Sequence, residues 1–235
     1  MELNCYIKEK IKSIKDEELA LLENSLLASS RKNQILQSLG SRECCSLCPL
    51  KNSNSQIMPL GSTLAPLMII AGAVTELEGQ IKVPFYDAKN RFIHVLLDRL
   101  KINKEYVYMT TLCKCHQPTR DINTSYGCAN NYLMREILIV KPKVIIGLGI
   151  DVTRVLFDLL PPVSKIQVTD VLSPNVEPFR NQFHTIDIDF NQYGAISTDY
   201  IQTYGVNQLL SDFEKISPNL SNDFIVAARK SGLIR

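Results

Sequence analysis

The sequence predicts a three-layer α-β-α domain: a central, mostly parallel four-stranded sheet with helices on both faces, preceded by a helical extension. Three observations predict it. Short apolar runs, among them Leu67-Met68-Ile69-Ile70-Ala71, recur between amphipathic stretches. The runs are continuous and not alternating, which is the pattern of strands buried on both faces. The chain has 235 residues, 45% of them apolar and 21% charged, enough for one domain of ordinary size with a sizeable core.

The elements follow in order. Residues 7–39 read as helical, with Ile7, Ile11, Ile14, Leu19, Leu22 and Leu26 forming a stripe among Lys and Glu. A second short helix is expected from Arg31 to Leu39, stopped by Gly40. Residues 40–66 have loop composition, including Asn52-Ser53-Asn54-Ser55. The first strand is expected at Leu67–Ala71, a helix at Arg91–Leu100, and the second strand at Tyr106–Thr111. A helix at Tyr126–Val140 leads to a third strand at Val144–Gly149, whose helix ends before Pro161-Pro162. A fourth strand is expected at Phe183–Asp187 and a last helix at Tyr200–Ile216. The division is thus 1–40 as an extension, 41–217 as the domain, and 218–235 as a solvated tail.

Charge and cysteine content narrow the function. With 26 Lys+Arg against 24 Asp+Glu there is no overall basic field, so any DNA contact has to be a local patch. Lys51, Lys114 and Arg120 are the candidates for one. No apolar run reaches the roughly 18 residues of a membrane span, and no signal peptide is visible, so a cytoplasmic location is expected. There, seven cysteines are not expected to form a disulfide framework.

Cys45 and Cys48 form a C-x-x-C pair followed by Pro49, and twelve residues separate Cys115 from Cys128. Four thiolates from two distant segments can surround one centre, zinc or an iron–sulfur cluster. The alternative is that they are small buried hydrophobes. Cys44 and Cys113 read as spare thiols.

Together the segments CSLCPL (45–50), Pro84-Phe85, VYMTTLCKC (107–115), Cys128 and KPKVIIGLG (141–149) resemble the iron–sulfur, thermostable-type uracil-DNA glycosylases over roughly residues 42–160. The resemblance implies that family's fold and a 4Fe–4S cluster on Cys45, Cys48, Cys115 and Cys128, with one zinc as the alternative. It also implies that Phe85 stacks on a base turned out of the DNA duplex.

The family's reactive groups are not matched. Its Gly-Glu-x-Pro-Gly loop reads Gly72-Ala73-Val74-Thr75-Glu76 here, its base-binding asparagine is Thr111, and its His-Pro-Ser loop has no counterpart. A hydroxyl cannot offer the paired donor and acceptor of an amide. By position the third loop would fall near Asp189-Phe190. Glu76 and His184 are the remaining candidates for catalytic groups, and without its polar partners Phe85 reads rather as a core or loop-anchoring aromatic. Gly147-Leu148-Gly149 lacks the third glycine of a dinucleotide fingerprint and reads as a tight turn. His94 reads as structural, and His116 as either a neighbour of the cluster or an exposed loop residue.

Two functions follow. In the first, a non-catalytic cluster protein serves as a replication or repair adaptor. The segment RKNQILQSLG (31–40) resembles the psi subunit of bacterial DNA polymerase III, implying clamp-loader collar and chi-subunit partners through residues 1–40. In the second, an active uracil-DNA glycosylase uses rearranged groups.

Overall fold

The computed structural model describes residues 20–35 (except 22), 45, 48–160 (except 52, 89 and 120), 182–189 and 195–234. Its centre is a five-stranded sheet of order β2-β1-β3-β5-β4. The strands are β1 (Leu67–Ala71), β2 (Val107–Thr111), β3 (Val144–Leu148), β4 (His184–Asp189) and β5 (Ala195–Thr203). Four strands are parallel; β4 alone pairs antiparallel, along β5. Every residue of β1, β2 and β3 is buried, which is why these strands lack polar alternation.

The predicted four-stranded sheet therefore gains a strand. The run at 183–187 is the antiparallel edge, and the fourth parallel strand is β5. The expected helix at Tyr200–Ile216 begins as a strand: AISTDYIQT alternates and carries β-branched residues, and Tyr200 and Gln202 face one side while Ile201 and Thr203 face the other. Helix α7 (Val206–Ser211) and helix α8 (Phe213–Ser231) follow.

The predicted tail at 218–235 is also corrected. Leu220, Phe224, Ala227 and Ala228 of α8 are buried against Ile69, Val144 and Ile201. Asp223 of α8 is fully buried and accepts a hydrogen bond from Thr203 Oγ1 at 2.5 Å. Apolar residues at i, i+4, i+7 and i+8 mark a core-facing helix. Pro218 sits within its first two turns.

The opposite face is covered by α4 (Ile122–Cys128), a π-helical turn (Ala129–Leu133), α5 (Met134–Val140) and α6 (Ile150–Leu159). Helix α4 starts earlier than expected because Asp121 caps it, accepting from the Asn123 and Thr124 amides at 3.1 and 3.0 Å. Helices α2 (Glu76–Ile81) and α3 (Phe92–Arg99) follow β1, and Phe92, Ile93, Leu96 and Leu97 of α3 pack into the β-face shared with α8.

Residues 23–35 form one helix, α1, with no break at Arg31. Its end is docked: Ile35 is buried, Arg31 Nη1 donates to the Thr63 and Val140 carbonyls, and Thr63 Oγ1 donates to the Ala28 carbonyl. Leu26 of the predicted stripe is exposed, as are Leu21 and Leu27. Ile7, Ile11, Ile14, Leu19 and Leu22, and the expected stop at Gly40, lie outside the described residues. No helix among the described residues is long and apolar enough to cross a membrane.

Candidate functional site: a cleft at the strand ends and a cysteine-bearing flank

Strand order runs outward from β1 to β2 on one side and from β3 to β5 on the other. The chain after β1 and the chain after β3 therefore diverge, and a crevice opens at the carboxyl ends of the strands, the usual ligand position of an open α/β sheet. A cleft of about 350 Å³ lies there, reached by Gly72, Thr75, Asn90, Gly149, Asp151 and Gln208 among others. A second cleft of about 190 Å³ shares Gly72, Ala73 and Asp151 with it and extends toward Gln117, Asp121 and Arg154.

Two glycines make the floor. Gly149 has φ +94°, and a β-carbon on it would lie 3.2 Å from Gly205 Cα. Its amide donates to the Thr203 carbonyl at 2.9 Å. The ends of β3 and β5 thereby approach closely enough to expose backbone to the cleft. Gly149 is also the N-cap of α6 and supplies no side-chain cap. The first-turn amides and partial positive charge of that helix end lie beside the cleft.

Other cleft groups are held in place. Thr75 caps α2: the Glu78 amide donates to Thr75 Oγ1 at 3.3 Å, and the Thr75 amide donates to Glu78 Oε2 at 3.0 Å. Glu78 is fully buried, and its Oε1 accepts from Asn90 Nδ2 at 2.9 Å. Gln208 Oε1 accepts from the Gly205 amide at 2.9 Å.

The expected catalytic candidates are elsewhere. Glu76 is exposed on the first turn of α2, where Gln80 Nε2 donates to it. His184 opens the edge strand opposite Tyr200 and lines neither cleft, and burial holds its imidazole below the ordinary value. Asp189 pairs with Ala195 at the other end of the sheet, and Phe190 lies outside the described residues. The loop that follows the last parallel strand and reaches the cleft is Tyr204-Gly205-Val206, not the segment near Asp189.

Phe85 is 1% exposed and packs with Leu67, Ile69, Ile93 and Leu97 beneath the cleft. Its φ of +58° marks a tight loop. In this position its ring is a core aromatic, not a stacking surface. Thr111 is buried, and its Oγ1 donates to the Cys113 carbonyl at 2.8 Å. Asn90, Asp151 and Gln208 were not singled out in the sequence. Gln208 lies just past the unseen strand, and Asn90 and Asp151 sit beside matched motifs without belonging to them.

The cysteines gather on the flank carrying α4 and α5. Cys45 Sγ is 3.0 Å from the Tyr132 hydroxyl, one helical turn beyond Cys128. The Lys114 amide donates to Cys128 Sγ at 3.2 Å, and the Leu50 amide to Cys48 Sγ at 3.4 Å. Cys113, taken as a spare thiol, is the one the structure brings to Cys128. That thiol, with Gln117 and the Cys115 amide, pulls the Cys113 pKa down to about 6, while Cys128 rises well above the ordinary value. Cys115 is half-buried. Among the described residues no three Cys, His, Asp or Glu side chains form the tight knot that one ion requires. Zinc would need that knot, at about 2.3 Å to each sulfur. A four-iron cluster spreads its thiolates further apart. The donor set itself, thiols with backbone amides aimed at two of them, suits such a cluster.

Lys114 is not part of a DNA-facing patch. It is 2% exposed, and its Nζ contacts Glu136 Oε1 at 2.9 Å and Oε2 at 3.0 Å, and the Thr111 carbonyl at 2.8 Å. Burial raises the Glu136 pKa, and the Lys114 charge opposes that rise. His116 is likewise tied inward: its Nδ1 lies 3.0 Å from the Val74 carbonyl, and its amide donates to Ser55 Oγ. Arg120 lies outside the described residues, and Lys51 is exposed.

An α/β sheet with its crevice at the switch point defines a class, and comparison with known proteins places the chain within it. The uracil DNA glycosylase superfamily model matches residues 58–218, and the chain belongs to that superfamily. It is similar to a type-4 uracil-DNA glycosylase of Pyrobaculum aerophilum, 29% identical over 120 residues, covering 49% of this chain and 61% of the relative. It is also similar to a type-4 uracil-DNA glycosylase of Archaeoglobus fulgidus, 25% identical over 118 residues, covering 49% of this chain and 59% of the relative. The chain thus spans about three-fifths of the length of these relatives. These similarities favour the glycosylase reading over the clamp-loader adaptor, for which they offer no support.

Proposed function

We propose that the chain excises uracil from DNA in the cleft over the ends of β1, β3 and β5. The observation that supports this most is the coincidence of that cleft, large enough for one pyrimidine turned out of the stack, with the crevice of a uracil DNA glycosylase superfamily member. Excision breaks the bond between N1 of the base and C1′ of the sugar. The electron pair leaves with the base, water adds to C1′, and the water's proton is released. The transition state is a sugar cation beside an anionic base.

The cleft offers a group for each charge. Asp151, in the first turn of α6, is the carboxylate common to both clefts, and its place suits orienting the water or facing the cation. The uncapped start of α6 favours the leaving anion. These groups differ from those the family resemblance leads one to expect, so the rearranged-group version of the activity is the one proposed. A labelled oligonucleotide containing one uracil tests it. Wild-type protein is expected to leave an abasic site, and Asp151→Asn to slow single-turnover excision on the order of a hundredfold. No excision from single- or double-stranded substrate would remove the proposal.

We further propose that Cys45, Cys48, Cys115 and Cys128 hold a 4Fe–4S cluster. Its contribution would be to tie Cys45 and Cys48 to the segments that carry Cys115 and Cys128. Anaerobically prepared protein is expected to carry about four iron per chain. Replacing Cys48 or Cys115 by serine should remove the iron and lower the melting temperature, whereas Cys113→Ser should retain it. Iron lost in Cys113→Ser but kept in Cys115→Ser would reassign the fourth ligand.

A further inference from the structure

Uracil presents a donor, N3–H, beside two carbonyl acceptors. The side chain that matches a donor and an acceptor at once without carrying charge is an amide. The cleft has three. Asn207 is exposed, and Gln208 has its carbonyl oxygen occupied by the Gly205 amide. Asn90 is different: it is 5% exposed, lines the cleft, and is held by a buried carboxylate.

That carboxylate settles the orientation of the amide. Glu78 can only accept, so the atom of Asn90 facing it at 2.9 Å is Nδ2. One Nδ2 hydrogen is taken by Glu78. The second hydrogen and Oδ1 remain, and no hydrogen bond occupies Oδ1 among the described residues. Glu78 is itself fixed at its other oxygen by the Thr75 amide. A fully buried carboxyl side chain thus joins two walls of the cleft, one oxygen held by Thr75 and the other by Asn90.

Resting on the glycosylase reading, we propose that Asn90 reads the uracil edge, accepting from N3–H through Oδ1 and donating to a base carbonyl through Nδ2. Glu78 is its positioning residue. The amide missing at Thr111 is replaced from the loop that follows Phe85, and it enters the crevice from the β1 side.

The test compares free uracil with 3-methyluracil, which lacks the N3–H. Both are titrated into full-length wild-type protein and Asn90→Ala, with binding followed by NMR of the side-chain amides and by competition in uracil excision. Wild type is expected to prefer uracil by about tenfold, with the Asn90 amide resonances shifting. Asn90→Ala should bind both weakly and equally, and its kcat/KM for excision should fall about tenfold, mostly through KM. Glu78→Gln keeps an acceptor for Asn90 but not for Thr75; it should retain the uracil preference while raising KM. Asn90→Ala that keeps the preference overturns the inference and leaves the glycosylase reading intact. Wild type that binds uracil without excising it, and loses the preference on substitution, upholds the inference and removes the reading. Wild type that neither binds nor excises uracil overturns both.

Discussion

Gly147→Ala is expected to destabilise the fold strongly. Gly147 lies in β3, paired with Gln202 and Ile70, and the Tyr200 side chain from β5 crosses its face. A β-carbon at 147 would overlap the Tyr200 hydroxyl oxygen and come within 2.7 Å of Cζ. Tyr200 cannot swing away freely. It is fully buried, its hydroxyl pairs with Thr153 Oγ1 at 2.7 Å, and its ring meets Phe157 edge-on at 5.2 Å. Making room means overpacking a dense core, about 1–3 kcal/mol, and unpairing a buried hydroxyl, about 1–3 kcal/mol. Together these are a large fraction of the stability of a domain, about 5–15 kcal/mol. Urea denaturation should show a collapse of the midpoint in Gly147→Ala and partial recovery in the double variant with Tyr200→Phe. An unchanged midpoint in the single variant would mean that Tyr200 does not lie against β3.

Lys114→Met should cost about 3–5 kcal/mol, because it leaves Glu136 charged and unpaired in the interior. Lys114 and Glu136 are each 2% exposed, and Thr110 Oγ1 donates to Glu136 at 2.6 Å in the same network. The network holds the end of β2 against α5, and with it the segment carrying Cys113 and Cys115. Removing both charges removes the need for pairing, so Lys114→Met with Glu136→Leu is expected to recover most of the loss. The double-mutant cycle, read by denaturation, should therefore give a large coupling energy. Additive losses would place the two charges in water and return Lys114 to the surface.

Much of the fold was legible because burial writes itself into composition. LMIIA at 67–71 and VIIGL at 144–148 are apolar without interruption, and they are neighbouring inner strands. The third inner strand, β5, was harder to read. AISTDYIQT carries Asp199 and Gln202 within a strand, and its polar positions looked like one face of a helix. Missing it misplaced the loop after the last parallel strand, and with it one wall of the cleft. Helix α8 was obscured by Pro218 and by the basic residues of its last turn, although Leu220, Phe224 and Ala228 carried the helical period.

The candidate site was less legible, for a reason specific to its residues. Phe85 and Thr111 stand where the family places functional groups, yet this chain turns both inward. Lys114 looked like a surface cation because nothing in a local stretch announces Glu136, twenty-two residues later. Asn90 is an ordinary loop residue in the sequence; only the buried Glu78 behind it, itself readable as half of a Thr75–Glu78 capping box, marks it out. The C-x-x-C pair was readable as a ligand candidate, whereas the contact of Cys113 with Cys128 needed the return of α4 beside the end of β2.

The location of the base is what the functional account depends on. Hydrogen–deuterium exchange with and without an oligonucleotide carrying 2′-fluoro-2′-deoxyuridine, whose fluorine resists cleavage by destabilising the sugar cation, tests it directly. The expected result is slowed exchange at the amides of 72–76, 149–151 and 205–208, with the edge strand at 184–189 and the helix at 23–35 unchanged. Protection confined to that edge or that helix, with the strand-end cleft exchanging as in the free protein, would contradict the account.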